Sequence, residues 1–531
     1  MSIASSKRGL PWFQIGLLGL LVVSLALRFW GLGRFNTLVF DEVYYAKFAH
    51  KYLTQTPFFD GHPPLSKYII AGGMWLGDRL PFGQMQKNGL TGGLYAPWTY
   101  RWVNALTGSF LPLAIAGLAY QLTGWRTYGL IAGLFAALDG LFLVESRYAL
   151  NNVYLVLFAL VGWLCLLQGL RHLEGRSHPV WLTLAGIGFG ASASIKWNGL
   201  WFLLGVYGVW GCAHGIHWFQ HWTAKAANST VQTSPASGDL GAALDRFWAS
   251  PLQGFWRVSW RQMLFYLGVV PFLTYFVEWI PHLLLNAKYG LWGDFWAMQQ
   301  EILAYHERVG NGANVHPYCS PWYSWLVMWR PVAYFYQVAG RGDPIPTERS
   351  LPVTSADPVV YDVHAMGNPF LWWFSTIAIA LVLTVVLGLA VVYVIEGWRF
   401  QTRQRQIMTQ TVAKLGLMPN ERWLLLFLAV NYLANLVPWM RVSRCIFIYH
   451  YMGSLVFASM GLAWLVDRWL HSRLALAREV AIAVILVAVI AFVFWWPIYV
   501  GWPLSLNNYC WWGTNYCVNE FQLRMWLRSW I

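Results

Sequence analysis

Residues 12–42 read WFQIGLLGLLVVSLALRFWGLGRFNTLVFDE, an apolar run followed by a short loop and two adjacent carboxylates. Residues 12–30 are long and apolar enough to cross a lipid bilayer as one helix. Lys7 and Arg8 precede this run, and no small-residue cleavage site is visible. The pattern therefore predicts a retained signal anchor whose amino-terminal end lies in the cytoplasm.

The composition extends the membrane assignment to the whole chain. Its 531 residues are 57% hydrophobic and only 11% charged, and they include 36 Trp. About a quarter of the residues in soluble domains are charged, so these values exclude an ordinary soluble protein. They also exclude a disordered chain, a coiled coil and a collagen. A net charge of +14 would suggest nucleic acid in a soluble protein. Here we attribute it to loop charges that orient helices and to contacts with membrane lipids, and we predict no nucleic-acid partner.

Eleven apolar runs have about the length of a membrane-spanning helix. They cover residues 12–30, 103–121, 127–143, 153–170, 180–195, 198–213, 262–280, 370–395, 423–439, 446–466 and 479–498. The pattern predicts an all-α polytopic membrane protein with about 11 transmembrane helices and its termini on opposite sides. The basic residues of the short loops lie on the Lys7 side, which the positive-inside rule makes cytoplasmic. These residues are Arg126, Arg171, Arg176, Arg399, Arg403, Arg405, Arg468, Arg473 and Arg478.

The connecting segments suggest a division of the chain. Segments 31–102 and 281–369 are rich in His, aromatic and acidic residues and are expected outside the cytoplasm. Segment 214–261 contains much Ala, Ser, Thr and Gly and is predicted to be a flexible cytoplasmic linker. The predicted parts are a transmembrane module 1–213 with a catalytic external loop, the linker, a second module 262–498, and an extracytoplasmic tail 499–531.

Asp41 and Glu42 form an acid pair at the predicted membrane exit of the first helix. Adjacent carboxylates repel each other, which raises at least one proton affinity and suits a general base or a cation site. A structural role is equally concrete, because Asp41 is a good helix N-cap and Glu42 is favourable in a first helical turn. The residue pattern leaves both roles open.

Five basic residues are expected at the same membrane face as the acid pair. They are Arg101, Arg147, Lys196, Arg441 and Arg444. A group of cations beside an acid pair suits an anionic lipid headgroup whose phosphate must leave. For any single Arg or Lys at a helix end, snorkelling to the headgroups is at least as common.

Further polar and aromatic residues near this face are candidates for orienting a substrate. They are His62, Glu145, Trp197, His316, Arg330, Asn368, Tyr449 and His450. The alternatives are an interfacial aromatic belt and histidines that only satisfy the backbone. The spacing of His306 and His316 matches no compact metal site, so we predict no metal ligands and no required cofactor. No pattern supports a divalent cation.

Two smaller patterns have structural interpretations. The GIGFG run at residues 186–190 lies inside an apolar helix and predicts close packing of helices through small residues rather than a nucleotide loop. Cys165, Cys212 and Cys445 fall in or beside apolar runs and are expected to be buried thiols. Cys510 and Cys517 are close in sequence, and a local disulfide between them is one of two open outcomes.

Several motifs, taken in order, resemble the protein O-mannosyltransferases and their bacterial relatives over residues 10–500. The motifs are Phe40-Asp41-Glu42, Phe59-Asp60-Gly61-His62-Pro63-Pro64, Glu145-Ser146-Arg147-Tyr148, Lys196-Trp197-Asn198-Gly199, His316-Pro317-Tyr318, Trp325 to Arg330-Pro331, Gly367-Asn368-Pro369 and Tyr449-His450-Tyr451. Each motif is weak alone. Their order and their common membrane side carry the resemblance.

The resemblance implies a GT-C-type glycosyltransferase. Its sugar donor would be polyprenyl- or dolichyl-phosphate mannose, and its acceptor a Ser or Thr hydroxyl of a secreted or membrane protein. The family's acidic pair maps onto Asp41 and Glu42, with Asp41 as the base and inversion at the sugar. Its phosphate-side basic residues map onto Arg147 and Lys196. Eukaryotic members carry a β-trefoil domain that segment 281–369 is too short to hold, which implies a bacterial-type enzyme of the plasma membrane.

The chemistry of the residues agrees with this implication. A carboxylate can take the proton of a poorly nucleophilic hydroxyl, and basic side chains can stabilise a departing phosphate. Two alternatives remain open from the sequence. One is a GT-C enzyme that acts on a lipid or glycan, and the other is a lipid-linked sugar transporter or flippase.

Overall fold

A computed structural model gives the architecture of the chain. It describes residues 11–228, 250–310, 316–340, 342–343, 358–398, 416–506, 509–510 and 517–531. Helices dominate the amino-terminal half: α1 (Trp12–Phe29), α2 (Glu42–Leu53), α3 (Leu65–Gly77), α4 (Pro97–Thr123), α5 (Arg126–Ala137), α6 (Gly140–Arg147), α7 (Asn152–Arg171), α8 (His178–Ala193) and α9 (Leu200–Asn228). This part of the chain contains no β-strand within its described residues.

The carboxy-terminal half is also mainly helical. Its helices are α10 (Trp260–Leu264), α11 (Val270–Leu285), α12 (Leu291–Arg308), α13 (Pro369–Trp398), α14 (Pro419–Leu436), α15 (Met452–Leu470) and α16 (Ala475–Val500). A π-helical turn, Phe265–Val269, joins α10 to α11. Short 3-10 helices cover Pro81–Gln84, Trp197–Gly199, Pro251–Arg257, Trp322–Val327, Val437–Arg441, Ile448–Tyr451, Gln522–Arg524 and Arg528–Trp530.

The helices confirm a multispanning membrane protein but not the predicted count of eleven. Among the described residues, eight helices are long and apolar enough to cross a bilayer, and α5 with α6 form a ninth span bent by 60°. The predicted runs 180–195 and 446–466 coincide with α8 and α15, which are not among those nine. The apolar runs therefore locate the helices more reliably than they establish the number of crossings.

A small antiparallel sheet was not predicted. Strands β1 (Val332–Ala339), β2 (Val359–Ala365) and β3 (Leu504–Ser505) form it in that order, so the carboxy-terminal tail pairs with the predicted second external segment. Val332 pairs with Ala365 and Ala339 pairs with Val359, with an irregularity between Ala333 and Phe335. β2 is mostly buried, and β1 is buried only in part, so the two strands do not share a clear alternation of apolar and polar residues.

The predicted linker is helical at both of its described edges. α9 continues to Asn228, and Pro251–Arg257 is a 3-10 helix, while residues 229–249 lie outside the described residues. The prediction of a flexible segment from residue 214 is therefore wrong for its first part. The run of α9 beyond the apolar region contains good helix formers such as Ala and Gln, which explains why the helix does not stop there.

Close packing through the glycines at 186–190 is confirmed. A Cβ atom on Gly186 would lie 2.1 Å from the carbonyl oxygen of Tyr266, and one on Gly190 would lie 2.7 Å from that of Pro271. A Cβ atom on Gly188 would approach the backbone of Gly162 to 2.8 Å. The small residues thus let α8 approach α7 on one side and the π-helical turn with α11 on the other.

We predict that Gly186→Ala destabilises the protein, whereas Gly211→Ala does not. The new methyl group at 186 meets backbone, which cannot rotate away, and overpacking of this kind costs about 1–3 kcal/mol. Gly211, on α9, has open space around its Cβ position. The midpoint of thermal unfolding in detergent measures both variants, and equal midpoints would contradict the packing assignment.

Candidate active site

Glu42 and Arg101 form a fully buried ion pair that closes the loop between α1 and α2. The Glu42 carboxylate accepts hydrogen bonds from Arg101 Nε at 2.9 Å and Nη2 at 2.7 Å. It also accepts the backbone N–H groups of Val39 at 2.8 Å and Ala149 at 2.9 Å. The remaining Arg101 donors bond to backbone carbonyl oxygens of the loop at Leu32, Phe35 and Thr37.

This geometry gives both residues a structural role. All the hydrogen-bonding positions of the Glu42 carboxylate and of the Arg101 guanidinium are directed at protein groups, so neither is open to a substrate. The structure therefore differs from the sequence-based roles of Glu42 in catalysis and of Arg101 in phosphate binding. The sequence could not show this, because the two residues are 59 positions apart.

Asp41, the other member of the acid pair, is placed differently. It occupies the N-cap position of α2, yet its side chain makes no capping bond, and its carboxylate accepts no hydrogen bond within the described part of the chain. The preceding Phe40 has a φ of 51°, an uncommon left-handed conformation at a non-glycine residue. Burial raises the pKa of Asp41 to about 6, and the charge of Lys196 partly opposes this rise.

Lys196 belongs to a chain of hydrogen bonds that leads away from Asp41. Its Nζ donates to Asn152 Oδ1 at 3.0 Å, and Asn152 Nδ2 donates to Glu145 Oε2 at 3.0 Å. The other Glu145 oxygen accepts the hydroxyl of Tyr334. This network links α7, α6 and β1 and fixes the ammonium group near Asp41, whose charge partly offsets the burial that lowers the pKa of Lys196 to about 8.

The predicted residue Glu145 thus acts through this network, and Asn152 and Tyr334 are additions that sequence reasoning missed. The signal for Asn152 was a polar residue at the start of an apolar run. Tyr334 gave no comparable signal, because it lies 189 residues from Glu145. The Tyr334 ring stacks on Phe40 with centroids 4.0 Å apart, which places the network directly behind the acid pair.

The loop before α3 supplies a second buried ion pair. Lys67 Nζ lies 2.6 Å from Asp60 Oδ2 and also donates to the carbonyl oxygens of His62 and Pro63. His62 is half-buried, and its ring lies 5.2 Å from that of His306 on α12. Burial and the charge of Lys196 hold the pKa of His62 well below its usual range, so its imidazole is neutral at pH 7.

Residues from the carboxy-terminal half complete the group around Asp41. Tyr449 is buried, and Lys196 Nζ lies 5.3 Å from the centre of its ring. His450 is held at Phe447 and packs against Trp439 with ring centroids 4.5 Å apart. Arg444 makes one hydrogen bond within the described residues, from Nη1 to the carbonyl oxygen of Cys445 at 3.3 Å. Its remaining donors leave it able to bind an anion.

Arg147 does not belong to this group. Its Nη1 donates to the carbonyl oxygens of Leu27, Arg28 and Trp30, and its Nη2 donates to that of Gly31. The side chain is buried and satisfies the carbonyl groups that the end of α1 leaves without helical partners. This contact differs from the phosphate role that the family resemblance implies.

Two other predicted residues also make structural contacts. Arg330 donates to the carbonyl oxygens of Pro317, Ser529 and Ile531, so it ties residues 529–531 to the predicted second external segment. Asn368 Nδ2 donates to the carbonyl oxygens of Leu138 and Ala488.

Trp197 and His316 lie at the edge of the group. The Trp197 indole donates to the hydroxyl of Tyr275 at 2.9 Å, and its ring lies 6.1 Å from that of His306. His316 is exposed and contacts the edge of Phe447 with ring centroids 5.2 Å apart. Neither contact establishes a substrate role.

Arg441 lies on the lipid side of the group. It lines a largely apolar cavity of about 600 Å³ between α9 and α14, together with Trp201, Leu204, Leu433, Ala434, Val437 and Pro438. The Trp201 ring contacts Trp439 at 4.3 Å, and Trp439 contacts His450. Trp439 therefore separates the Trp201 side of the cavity from His450.

A disulfide joins Cys319 to Cys445, with Cα atoms 5.2 Å apart. The expectation of a buried thiol at Cys445 is therefore wrong, because its partner lies 126 residues away. The backbones of Cys510 and Cys517 are paired in the two-stranded sheet of β4 (Tyr509–Cys510) and β5 (Cys517–Val518), and their side chains lie outside what the structure describes. The residues that the structure describes contain no group of three His, Cys, Asp or Glu placed to hold a metal ion.

Comparison with known proteins identifies the family. The model described as "Dolichyl-phosphate-mannose-protein mannosyltransferase" matches residues 19–285, and "C-terminal four TMM region of protein-O-mannosyltransferase" matches residues 291–530. The polyprenol-phosphate-mannose–protein mannosyltransferase of Mycolicibacterium smegmatis is 22% identical over 93% of this chain and 88% of its own. The enzyme of that name from Mycobacterium tuberculosis is 22% identical over 98% of this chain and 92% of its own.

Structural comparison supports the same fold. A chain of the Saccharomyces cerevisiae protein O-mannosyltransferase Pmt1–Pmt2 complex bound to the sugar donor aligns with a TM-score of 0.67. The alignment covers 99% of this chain and 93% of that chain at 14% sequence identity. At this identity the likeness establishes the fold alone.

Removing the charge of Glu42 should lower the stability of the protein, whereas removing the charge of its neighbour Asp41 should not. Glu42→Ala leaves the buried Arg101 guanidinium without its partner, which costs about 3–5 kcal/mol. Asp41→Asn removes no described hydrogen bond, so the folded protein should keep its stability. Thermal unfolding in detergent and resistance to protease measure this difference. A large loss of stability in Asp41→Asn would show that Asp41 is a structural residue.

Proposed function

This chain belongs to the dolichyl-phosphate-mannose-protein mannosyltransferase family, and we propose that it uses Asp41 as the general base of mannosyl transfer. The chain is a membrane glycosyltransferase that transfers mannose to proteins. The proposed sugar donor is polyprenyl- or dolichyl-phosphate mannose, and the proposed acceptor is a Ser or Thr hydroxyl. The observation that carries the assignment of the base is the open carboxylate of Asp41 beside Lys196, next to a Glu42 that is committed to the fold.

The reaction requires one proton transfer and one displacement. The Asp41 carboxylate takes the proton of the acceptor hydroxyl while the hydroxyl oxygen bonds to C1 of mannose. The bond between C1 and the phosphate oxygen breaks, and polyprenyl phosphate leaves with the electron pair. Attack from the face opposite the phosphate inverts C1, so a β-linked sugar donor gives an α-mannosyl product. Every step can be performed by side chains and the two substrates.

Lys196 and Arg444 are the proposed ligands of the departing phosphate. Both are basic, both have hydrogen-bond donors to spare within the described residues, and both lie close enough to His306 for their charges to lower its pKa. Basic groups fixed where charge accumulates stabilise the transition state without reorganising. Arg101 and Arg147 are left out of this proposal because their guanidinium groups bind backbone carbonyls.

The apolar cavity beside Arg441 is the proposed place of the polyprenyl chain. It opens between two spanning helices, so a lipid tail can enter from the bilayer, and its first residue, Trp201, follows closely after Lys196 in sequence. Arg441 at the polar end fits the phosphate side of such a lipid. His62 and Tyr449 would then face the mannose and the acceptor.

We place this site outside the cytoplasm, in the plasma membrane, with the amino terminus inside. The basic short loops support that orientation. The Cys319–Cys445 disulfide supports it independently, since disulfides persist in oxidising compartments. The proposed division into modules 1–213 and 262–498 follows, with both modules contributing residues to the site.

Asp41→Asn should lower the rate of mannosyl transfer by about 10²–10⁴-fold, the usual contribution of a general base. The assay uses purified enzyme in vesicles, polyprenyl-phosphate mannose, and a peptide rich in Ser and Thr. Mass spectrometry of the peptide separates transfer to protein from transfer to lipid or glycan. Unchanged transfer by Asp41→Asn would remove Asp41 from the mechanism.

The pH dependence of kcat/KM should be bell-shaped. Asp41 must be ionised to accept a proton, so the rate should fall as the pH drops below its pKa of about 6. Lys196 must be protonated to bind phosphate, so the rate should also fall above about pH 8. In Lys196→Arg the guanidinium stays charged, and the alkaline fall should disappear. An alkaline limb that persists in this variant would exclude Lys196 as its origin.

Leu204→Trp should raise the KM for the polyprenyl sugar donor several-fold, because the larger side chain occupies the cavity and displaces about 1 kcal/mol of apolar contact. Leu486→Trp is the matched control, since Leu486 is similarly exposed on α16 but does not line the cavity. A water-soluble donor with a short isoprenoid chain should be much less affected. Equal KM values for the two variants would argue against this lipid site.

A further inference from the structure

Arg444 is carried by a stretch of chain without regular secondary structure. Residues 442–447 lie between the 3-10 helices Val437–Arg441 and Ile448–Tyr451. A side chain in such a stretch has no helical backbone to fix its direction, and its guanidinium is anchored by one bond to Cys445 within the described residues. The position of Arg444 therefore depends on what holds the backbone beside it.

One disulfide bond and one hydrogen bond hold that backbone. The disulfide joins Cys445, the residue after Arg444, to Cys319. Next to it, the N–H of Ser320 donates to the carbonyl oxygen of Ile446 at 2.8 Å. The N–H of Cys319 in turn donates to the carbonyl oxygen of His316 at 2.9 Å, so the segment on the far side of the disulfide is itself turned and held.

A third segment closes on the same point. Gly310, just after α12, has a φ of 76°, and a Cβ atom there would lie 2.5 Å from Cys445 Cβ and 2.9 Å from its backbone nitrogen. Only glycine permits both this backbone conformation and this approach. The end of α12, which places His306 against His62, therefore lies directly against the disulfide.

The proposed phosphate ligands face the same space. Burial, the charge of Arg444 and the charge of Lys196, in that order, lower the pKa of His306 to about 4. Arg444 is thus an electrostatic neighbour of both α12 and Lys196. If residues 442–447 moved away from α12, Arg444 would leave this neighbourhood, whereas Lys196, which lies between α8 and the 3-10 helix Trp197–Gly199, would not move with them.

We infer that the Cys319–Cys445 disulfide is a positioning element that holds Arg444 towards the phosphate of the sugar donor, so that sugar-donor binding depends on the oxidised state of this pair. The inference rests on the proposed function of Arg444. The Cys319–Cys445 disulfide forms by thiol–disulfide exchange. The two thiols lose two protons and two electrons, and a disulfide oxidant outside the cytoplasm is reduced to its dithiol. Cys319 and Cys445 act through Arg444 and are positioning residues.

The test compares two pairs of substitutions in the full-length enzyme in vesicles. The Cys319→Ser/Cys445→Ser double variant should raise the KM for polyprenyl-phosphate mannose about tenfold, the order expected when one hydrogen bond to a charged group is lost. Its kcat and its KM for the acceptor peptide should change little. Cys165→Ala/Cys212→Ala is the matched control, since these free cysteines lie in α7 and α9 away from the site, and it should retain the wild-type KM.

Arg444→Ala separates positioning from general stabilisation. In that background, loss of the disulfide should cause no further rise in the KM for the sugar donor, because the residue that it positions is gone. If the disulfide only stabilised the fold, thermal unfolding would shift and the active fraction would fall while this KM stayed constant. Such a result, or equal further rises in both backgrounds, would overturn the inference.

Reversible reduction repeats the comparison without any substitution. Dithiothreitol should raise the KM of the wild-type enzyme, and reoxidation should restore it, while maleimide mass tags report the state of the pair. Free thiols at both positions in the untreated enzyme would overturn the inference. Binding of unmodified polyprenyl phosphate, followed by thermal shift, gives a readout that needs no transfer. Absence of transfer by the oxidised wild-type enzyme, with disulfide-dependent phosphate binding retained, would instead refute the proposed function alone.

Discussion

The buried ion pair between Glu42 and Arg101 is the contact on which the site depends. Taking both charges out of water is expensive, and the cost is offset only because every oxygen and every N–H of the pair finds a partner. Apart from the N–H of Ala149 and the two side chains themselves, those partners are backbone groups of the loop between α1 and α2. The pair therefore fixes the loop, and with it the position of Asp41, whose own carboxylate stays open. One carboxylate of the acid pair thus fixes the loop, and the other stays open for the role of base that we propose for it.

The basic residues also fall into two groups, according to whether their hydrogen-bond donors are already bound to protein groups. In a membrane protein, backbone carbonyls at helix ends and in buried loops cannot turn to water, so they need donors from side chains. A guanidinium has five donors in a fixed fork, and Arg101, Arg147 and Arg330 each bind several carbonyl oxygens in this way. Within the described residues, Lys196 and Arg444 keep donors to spare. The predicted cationic group thus consists of fewer residues: Lys196 lies near Asp41, and Arg444 lies near Lys196 and Tyr449.

The sequence predicts what is local and misses what is distant. Apolar length locates the spanning helices, and the glycine spacing at 186–190 predicts a close approach that the structure contains. Which acid meets which base depends on contacts such as Glu145 to Tyr334, made by residues far apart along the chain. Closeness along the chain likewise suggests a disulfide between Cys510 and Cys517, whereas the structure joins Cys319 to Cys445, which are 126 residues apart. Residue type indicates the chemistry that a site can perform, but only the packing decides which copies of that residue perform it.

The site also explains why the two halves of the chain must fold together. Asp41, Glu145 and Lys196 come from the half matched by one family model, whereas Tyr334, Arg444 and Tyr449 come from the half matched by the other. The hydrogen bond from Tyr334 to Glu145 and the contact of Lys196 with Tyr449 cross that division. In the proposed mechanism the half that holds Asp41 also supplies Lys196, and the other half supplies Arg444, the second proposed phosphate ligand. Under the proposed function, mannosyl transfer therefore requires residues from both halves, held together by the contacts that cross their interface.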